Sequence, residues 1–278
     1  MRNSRNAFTM LELIFVIVIM GILSKFGVEL LLKTYESYSR SLILNKLVGE
    51  SEVAVQQIAN RLQYRIKDSE LADGQPLLSN AGGEGRLEWI GMDHDGWNGI
   101  TSTAPAWSGI IDLNQAGTSK TTLVTPGSTS ITVDDAIIFI GANRDVLNGL
   151  WSNDVNTTQS HQVTAFTAGP PAIITIPDSA SSRDVWEYYK VANSAYAINT
   201  EDFDGDGIND LVLYYDYKPW LGETWNNDGS SSLLLNHVAA PGFSFQKFGD
   251  IVKIEVCVSS NNFTGEGEYK ICKNKVIF

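Results

Sequence analysis

The sequence predicts an α+β protein: one long N-terminal helix packed on an antiparallel β-sheet head that carries a large β-rich insertion. Three observations predict it. No proline occurs between Met1 and Pro76, and over residues 34–69 apolar residues recur three, four or seven apart. From Gly74 onward the pattern changes to short β-branched and aromatic runs separated by Gly, Asn, Asp and Ser, the signature of strands and turns. Near the C-terminus Val252, Ile254, Val256 and Val258 alternate with Lys253, Glu255 and Cys257, as in an antiparallel strand with one buried face.

The helix comes first in the chain. Leu44, Val48, Val55, Ile58, Leu62 and Ile66 fall on one stripe, with Glu50, Glu52, Gln56, Gln57, Arg61 and Arg65 on the wetter side. Glycine and proline in "ADGQP" end it. About 60 helical residues extend on the order of 90 Å. Beyond it, "RLEWI", "TTLVT", "SITV", "AIIFIG" and "AIITI" read as strands. "VWEYYKV" and "SAYAI" read as a hairpin turning at "AN", followed by "LVLYYDY", "FSFQKF" and "IVKIEVCVS". The parts are a leader at 1–7, an apolar segment at 8–33, an amphipathic helix at 34–73, a β-rich insertion at 74–180 and a C-terminal sheet at 181–278.

A chain of 278 residues is long enough for one large domain or two small ones. Its net charge of -12 and pI near 4.6 argue against a broad nucleic-acid surface. No G-x-S-x-G, HExxH or P-loop pattern occurs, and no catalytic arrangement is expected. The three histidines, His94, His161 and His237, fit no ligand spacing and read as incidental.

Residues 8–23, "FTMLELIFVIVIMGIL", follow a short basic stretch, "MRNSRNA". This resembles a secretory signal in its basic start and apolar run, but no A-x-A site follows. With the "FGVELLL" that follows, the run is long enough to cross a membrane. It contains Glu12, Lys25 and Glu29. Lys25 and Glu29 lie four apart and can offset each other. Glu12 has no comparable charged neighbour in the sequence, and a lone carboxylate in lipid costs about 2.5–3.5 kcal/mol.

These residues resemble the class III signal of type IV prepilins and type II secretion pseudopilins. The resemblance covers about 25 residues. It implies cleavage by a prepilin peptidase between Ala7 and Phe8, with N-methylation of Phe8. The family's usual residue before the cut is glycine, where this chain has Ala7. Thr9 and Glu12 match the threonine and glutamate that follow the cut, and the resemblance assigns both to assembly. The new Phe8 amine of one subunit would pair with Glu12 of a neighbour, so that each charge is compensated on assembly. The family further implies a single-pass protein of a bacterial inner membrane, with the second half of the helix and the head in the periplasm. Its partners would be other pilins or pseudopilins, the peptidase and the inner-membrane assembly platform. Two other readings are a pilus-tip adhesin or ligand-binding module, and a membrane-anchored calcium-binding domain that does not polymerise. Removing the leader takes away two arginines, leaving 18 basic against 32 acidic residues, or -14.

Two further motifs stand out. "DFDGDGIND" places Asp202, Asp204 and Asp206 at positions 1, 3 and 5, Ile208 at 7 and Asp210 at 9 of a D-x-D-x-D-G loop. Carboxylates at this spacing converge on Ca2+, which takes six to eight oxygens, with Ile208 offering its carbonyl. Leu213 stands where an EF-hand has glutamate, so the loop is similar instead to calcium loops between strands, with Glu201 or Asp216 to complete the shell. The other reading is an ion-free Asp/Gly turn. "DHDGWNG" from Asp93 is a weaker match and reads as a plain turn. Cys257 and Cys272, 15 apart, suit a disulfide closing a hairpin loop, with two reduced thiols as the other arrangement. "DVNTT" at 154–158 fits an acidic glycosylation sequon at Asn156.

Overall fold

The structure is a computed structural model that describes residues 9–98, 109–126, 131–140, 149–151, 160–169, 171–177, 185–260 and 269–278. The leader with its cut between Ala7 and Phe8, and Asn156, lie outside the described residues. The chain divides into two compact units, Met1–Gly49 and Glu50–Phe278. It is an α+β protein with a long apolar N-terminal helix and an antiparallel β region.

Helix α1 runs over Met10–Leu62. With no proline to remove a donor, its backbone bonds continue unbroken through the apolar segment. In the second unit it buries Ser51, Ala54, Val55, Ile58, Ala59 and Leu62, the three-and-four spacing expected of one packed face. Val48, expected on the buried stripe, is 37% exposed.

The helix stops at Leu62, ahead of the end expected at "ADGQP", residues 72–76. Tyr64 and Arg65 close a final tight turn on the Arg61 and Leu62 carbonyls. The chain then joins a sheet: Ile66 N–H donates to the Ile90 carbonyl at 2.8 Å, and Met92 N–H to the Tyr64 carbonyl at 2.9 Å. These tertiary bonds satisfy the backbone groups that further helical turns would have used.

The strands are β1 (Leu71–Ala72), β2 (Gln75–Pro76), β3 (Gly82–Glu84), β4 (Leu87–Met92), β5 (Thr122–Thr125), β6 (Ala136–Phe139), β7 (Ser160–Gln162), β8 (Ala165–Thr167) and β9 (Ala172–Thr175). They continue with β10 (Tyr189–Glu201), β11 (Asp210–Tyr217), β12 (Ser230–Leu235), β13 (Val238–Phe248), β14 (Ile251–Ser259) and β15 (Lys270–Ile277). A short helix α2 (His94–Asn98) follows β4. One sheet has the order β12-β11-β10-β4-β1-β2, with β6 also on β10 and β7 on β6. A second has the order β15-β14-β13-β3, and a third β5-β9-β8.

Two expectations need correction. The "VWEYYKV"/"SAYAI" hairpin is one continuous strand, β10, interrupted by irregularities at Ala192/Ser194 and Ala195/Ala197. β4 runs along one side of β10, while on the other side the partner changes from β6 (up to Ala192) to β11 (from Ala195), so the chain bulges there instead of turning back. The "SITV" strand is absent where described: Ile131–Val133 form no strand, and Thr132 N–H bonds the Asp135 carboxylate at 2.8 Å. The sheets run across the 180/181 boundary, β4 pairing with β10 and β3 with β13.

Two cores flank β6. Ala136 and Ile138 pack with Ile66, Ile90, Ala195 and Trp220, whereas Ile137 and Phe139 pack with Leu123, Ile174 and Tyr189. A short run that is apolar at every position is buried on both faces. In the second sheet Val252, Ile254, Val256 and Val258 form the buried row with Phe243 and Phe245.

A buried ionic cluster joins the end of α1 to this second sheet. Arg65 Nε donates to Glu70 Oε1 at 2.5 Å, and Lys247 Nζ donates to Glu70 Oε2 at 2.8 Å and Asp68 Oδ1 at 3.1 Å. Arg65 also donates to the carbonyls of Leu62 and Asp250. Burial pushes the Lys247 ammonium down, but the Glu70 and Asp68 contacts outweigh it and hold the pKa above the ordinary value. Arg65, assigned from sequence to the wet side, is 3% exposed. The chain there has left the helix and bridges Gly91, and the charge is matched by Glu70.

Candidate functional site

The first site is the start of α1. Thr9 N–H and Thr9 Oγ1 donate to Glu12 Oε2 at 3.1 and 3.0 Å, and Glu12 N–H donates to Thr9 Oγ1 at 3.4 Å. This reciprocal arrangement satisfies backbone donors that a helix start leaves open. Glu12 therefore has a local hydrogen-bond partner in Thr9, which the charge pattern alone does not register. The helix has an 18-residue window long and apolar enough to cross a membrane, and none of that window is buried.

The second site is the acidic loop between β10 and β11. Asp202 accepts from Gly205 N–H at 2.8 Å and from Gly207 N–H at 2.9 Å. Asp204 accepts from Asp206 N–H at 3.1 Å, and Asp206 from Ile208 N–H at 2.8 Å. Gly207, expected to supply a sharp turn, has φ +87°, a left-handed conformation that glycine adopts without a Cβ penalty. The side chains at positions 1, 3 and 5 thus shape their own loop, the usual behaviour of aspartates in turns.

Asp210 has a different place. It is fully buried and accepts from His237 N–H at 2.9 Å and Phe203 N–H at 3.3 Å. It clasps the loop to the turn between β12 and β13. His237, read from sequence as incidental, lies beside the loop, with Nε2 2.9 Å from Asp206 Oδ2. That hydrogen bond, followed by the Ile208 N–H, holds the Asp206 carboxyl below its ordinary pKa. Ligand atoms of Asp204, Asp206 and His237 lie within 4.8 Å of one another. The separation of 31 residues between Asp206 and His237 concealed the contact.

Neither suggested completing residue joins the loop. Glu201 accepts from the Tyr214 hydroxyl and from Asn199 Nδ2. Asp216 stands toward the other end of β11, its N–H bonded to Ser194 Oγ. The exposed carboxylates of Asp202, Asp204 and Asp206 are hard oxygen donors of the kind calcium takes.

Cys257 and Cys272 face each other across β14 and β15 and are joined, S–S 2.08 Å. The "DHDGWNG" segment forms α2, with Asp93 Oδ1 accepting from Gly96 N–H at 3.0 Å. His94 stacks on Tyr64 with ring centroids 3.6 Å apart. His161 is buried beside Phe139, their centroids 5.6 Å apart.

No protein family, curated protein or solved structure matches this chain.

Proposed function

We propose that the chain is a minor pilin or minor pseudopilin, a structural subunit built into a type IV pilus or type II secretion pseudopilus through its N-terminal helix. The observation that carries this reading is the start of α1: an exposed apolar helix, capped by the Thr9–Glu12 pair, directly after a short basic leader. Cleavage between Ala7 and Phe8 would release a cationic amine at membrane depth. Both Thr9 bonds fall on Glu12 Oε2, so Oε1 is the oxygen offered to the Phe8 amine of a neighbour. Pairing on assembly removes the cost of two isolated charges in lipid. The protein would sit in the inner membrane with its head in the periplasm. The β-rich part at 74–180 would be an elaboration on a smaller pilin-like sheet, suited to a low-copy position in the fibre.

Mass spectrometry of the mature protein tests the reading. N-methyl-Phe8 at the N-terminus is the expected result, and a chain beginning at Met1 would overturn it. Glu12→Ala is expected to insert in the membrane yet lose crosslinks to partner pilins.

Within this reading the acidic loop holds a structural calcium ion. Asp202, Asp204 and Asp206 would supply carboxylates and Ile208 its carbonyl, with Asp210 as the buried clasp and His237 beside the loop. The ion would offset the repulsion of clustered carboxylates and order the connection between β10 and β11. Millimolar calcium should raise the melting temperature of the full chain, and EGTA should reverse the rise. An identical transition in both would remove calcium from the proposal.

A further inference from the structure

A cleft beside the last turn of α1 is separate from the Thr9–Glu12 start of that helix and from the acidic loop. Its volume is about 270 Å3, and its walls include Asn60, Arg61, Tyr64, His94, Asn193 and Tyr196. All of them lie in the unit Glu50–Phe278.

The walls are fixed by backbone and ring contacts. Tyr64 is held by the stack on His94 and by the bond from Met92 N–H to its carbonyl at 2.9 Å. Tyr196 lies against Gly91, where a Cβ would come within 2.6 Å of the ring, and stacks on Trp89 with centroids 5.7 Å apart. Asn193 stands exposed at the bulge between Ala192 and Ser194. Arg61 is steadied by one bond from Nη1 to the Gln57 carbonyl at 3.1 Å, and a guanidinium has four further donors. Asn60 Oδ1 accepts from Gln56 at 2.7 Å, which turns its amide donors away from that bond.

The chemistry narrows the ligand. Asp93 and Asp95 also line the cleft beside the single Arg61, so a phosphate or other polyanion would meet repulsion. Met92 is the one aliphatic side chain in the lining, so an apolar ligand would find little to bury. Two carboxamides, a guanidinium and carboxylates offer donors and acceptors together, as hydroxyl groups require because each both donates and accepts. Two tyrosine rings offer surfaces for the C–H face of a ring. The volume lies just below the range of about 300–1,000 Å3 typical of drug-sized ligands.

We propose that this cleft binds one neutral sugar ring, as the terminal residue of a glycan. The inference does not depend on the pilin reading. A ligand of about a dozen non-hydrogen atoms binds with a dissociation constant on the order of 1 mM, so saturation-transfer NMR is the suitable assay. The full chain in a zwitterionic, sugar-free detergent is titrated with methyl α-glucoside, methyl α-mannoside, methyl β-galactoside and N-acetylglucosamine. Saturable binding of at least one is expected. Asn193→Ala and Arg61→Ala should each weaken it tenfold or more while the melting temperature stays within about 2 °C of the parent. Absence of saturable binding to all four sugars overturns the proposal. So does binding that both substitutions leave unchanged.

Discussion

Replacing Glu70 with glutamine tests the account of how α1 is fastened to the second sheet. The carboxylate bridges two cations in a nearly water-free place: side-chain exposures are 0% for Glu70, 1% for Arg65 and 5% for Lys247. Glutamine keeps the shape and one acceptor but removes the charge. Arg65 retains its carbonyl partners at Leu62 and Asp250, and Lys247 retains Asp68. Breaking a buried pair typically costs about 3–5 kcal/mol, and the surviving partners place Glu70→Gln near the lower figure. For a unit of this size about 3 kcal/mol lowers the melting temperature by roughly 6–12 °C. The control is Asp250→Asn, which removes the Lys67–Asp250 pair at 3.1 Å. Those side chains are 47% and 46% exposed, and such a pair contributes about 0–1 kcal/mol. Thermal and urea unfolding of the full chain, followed by near-ultraviolet circular dichroism, supply both comparisons. A Glu70→Gln loss under about 1 kcal/mol, no larger than the control, would refute the assignment of the cluster as the fastening point.

The same cluster predicts an alkaline limit. Because the folded pKa of Lys247 is raised, its contribution is fully present below the unfolded lysine value of about 10.4 and is lost as pH rises through the folded value. Urea midpoints measured from pH 8 to 11 should fall at the upper end, and Lys247→Met should flatten that fall. Reduction of Cys257–Cys272, or the double change to serine, releases a loop with a separation of 15 residues and should cost about 3 kcal/mol, read as a lower urea midpoint. Gly91→Ala forces a Cβ to within 2.6 Å of Tyr196 Cε2; a loss of about 1–3 kcal/mol is expected by thermal unfolding. Full stability in that variant would show that the Tyr196 ring moves freely.

The sequence by itself determined the features set by neighbours along the chain. Absence of proline together with spaced apolar residues was sufficient for α1. Strict alternation was sufficient for β14, and the apolar run from Met10 to Leu23 was sufficient for a helical segment long and apolar enough to cross a membrane. Asp202, Asp204 and Asp206 were legible as a turn unit because each bonds a backbone N–H within five residues. Tertiary structure decided whatever depends on distant partners. Ile90 and Met92 capture the chain after Leu62 and stop the helix early, and β4 on one side with β6 and then β11 on the other carry β10 on past Asn193. Glu70 and Lys247 make a buried position acceptable for Arg65, although they are 177 residues apart. His237 reaches Asp206 because Asp210 anchors both loops. Local spacing fixes a helix or a turn because the bonds that form it span a few residues. A charge's burial or a strand's partner depends on free energies between segments far apart in sequence, and those exist only once the chain has folded.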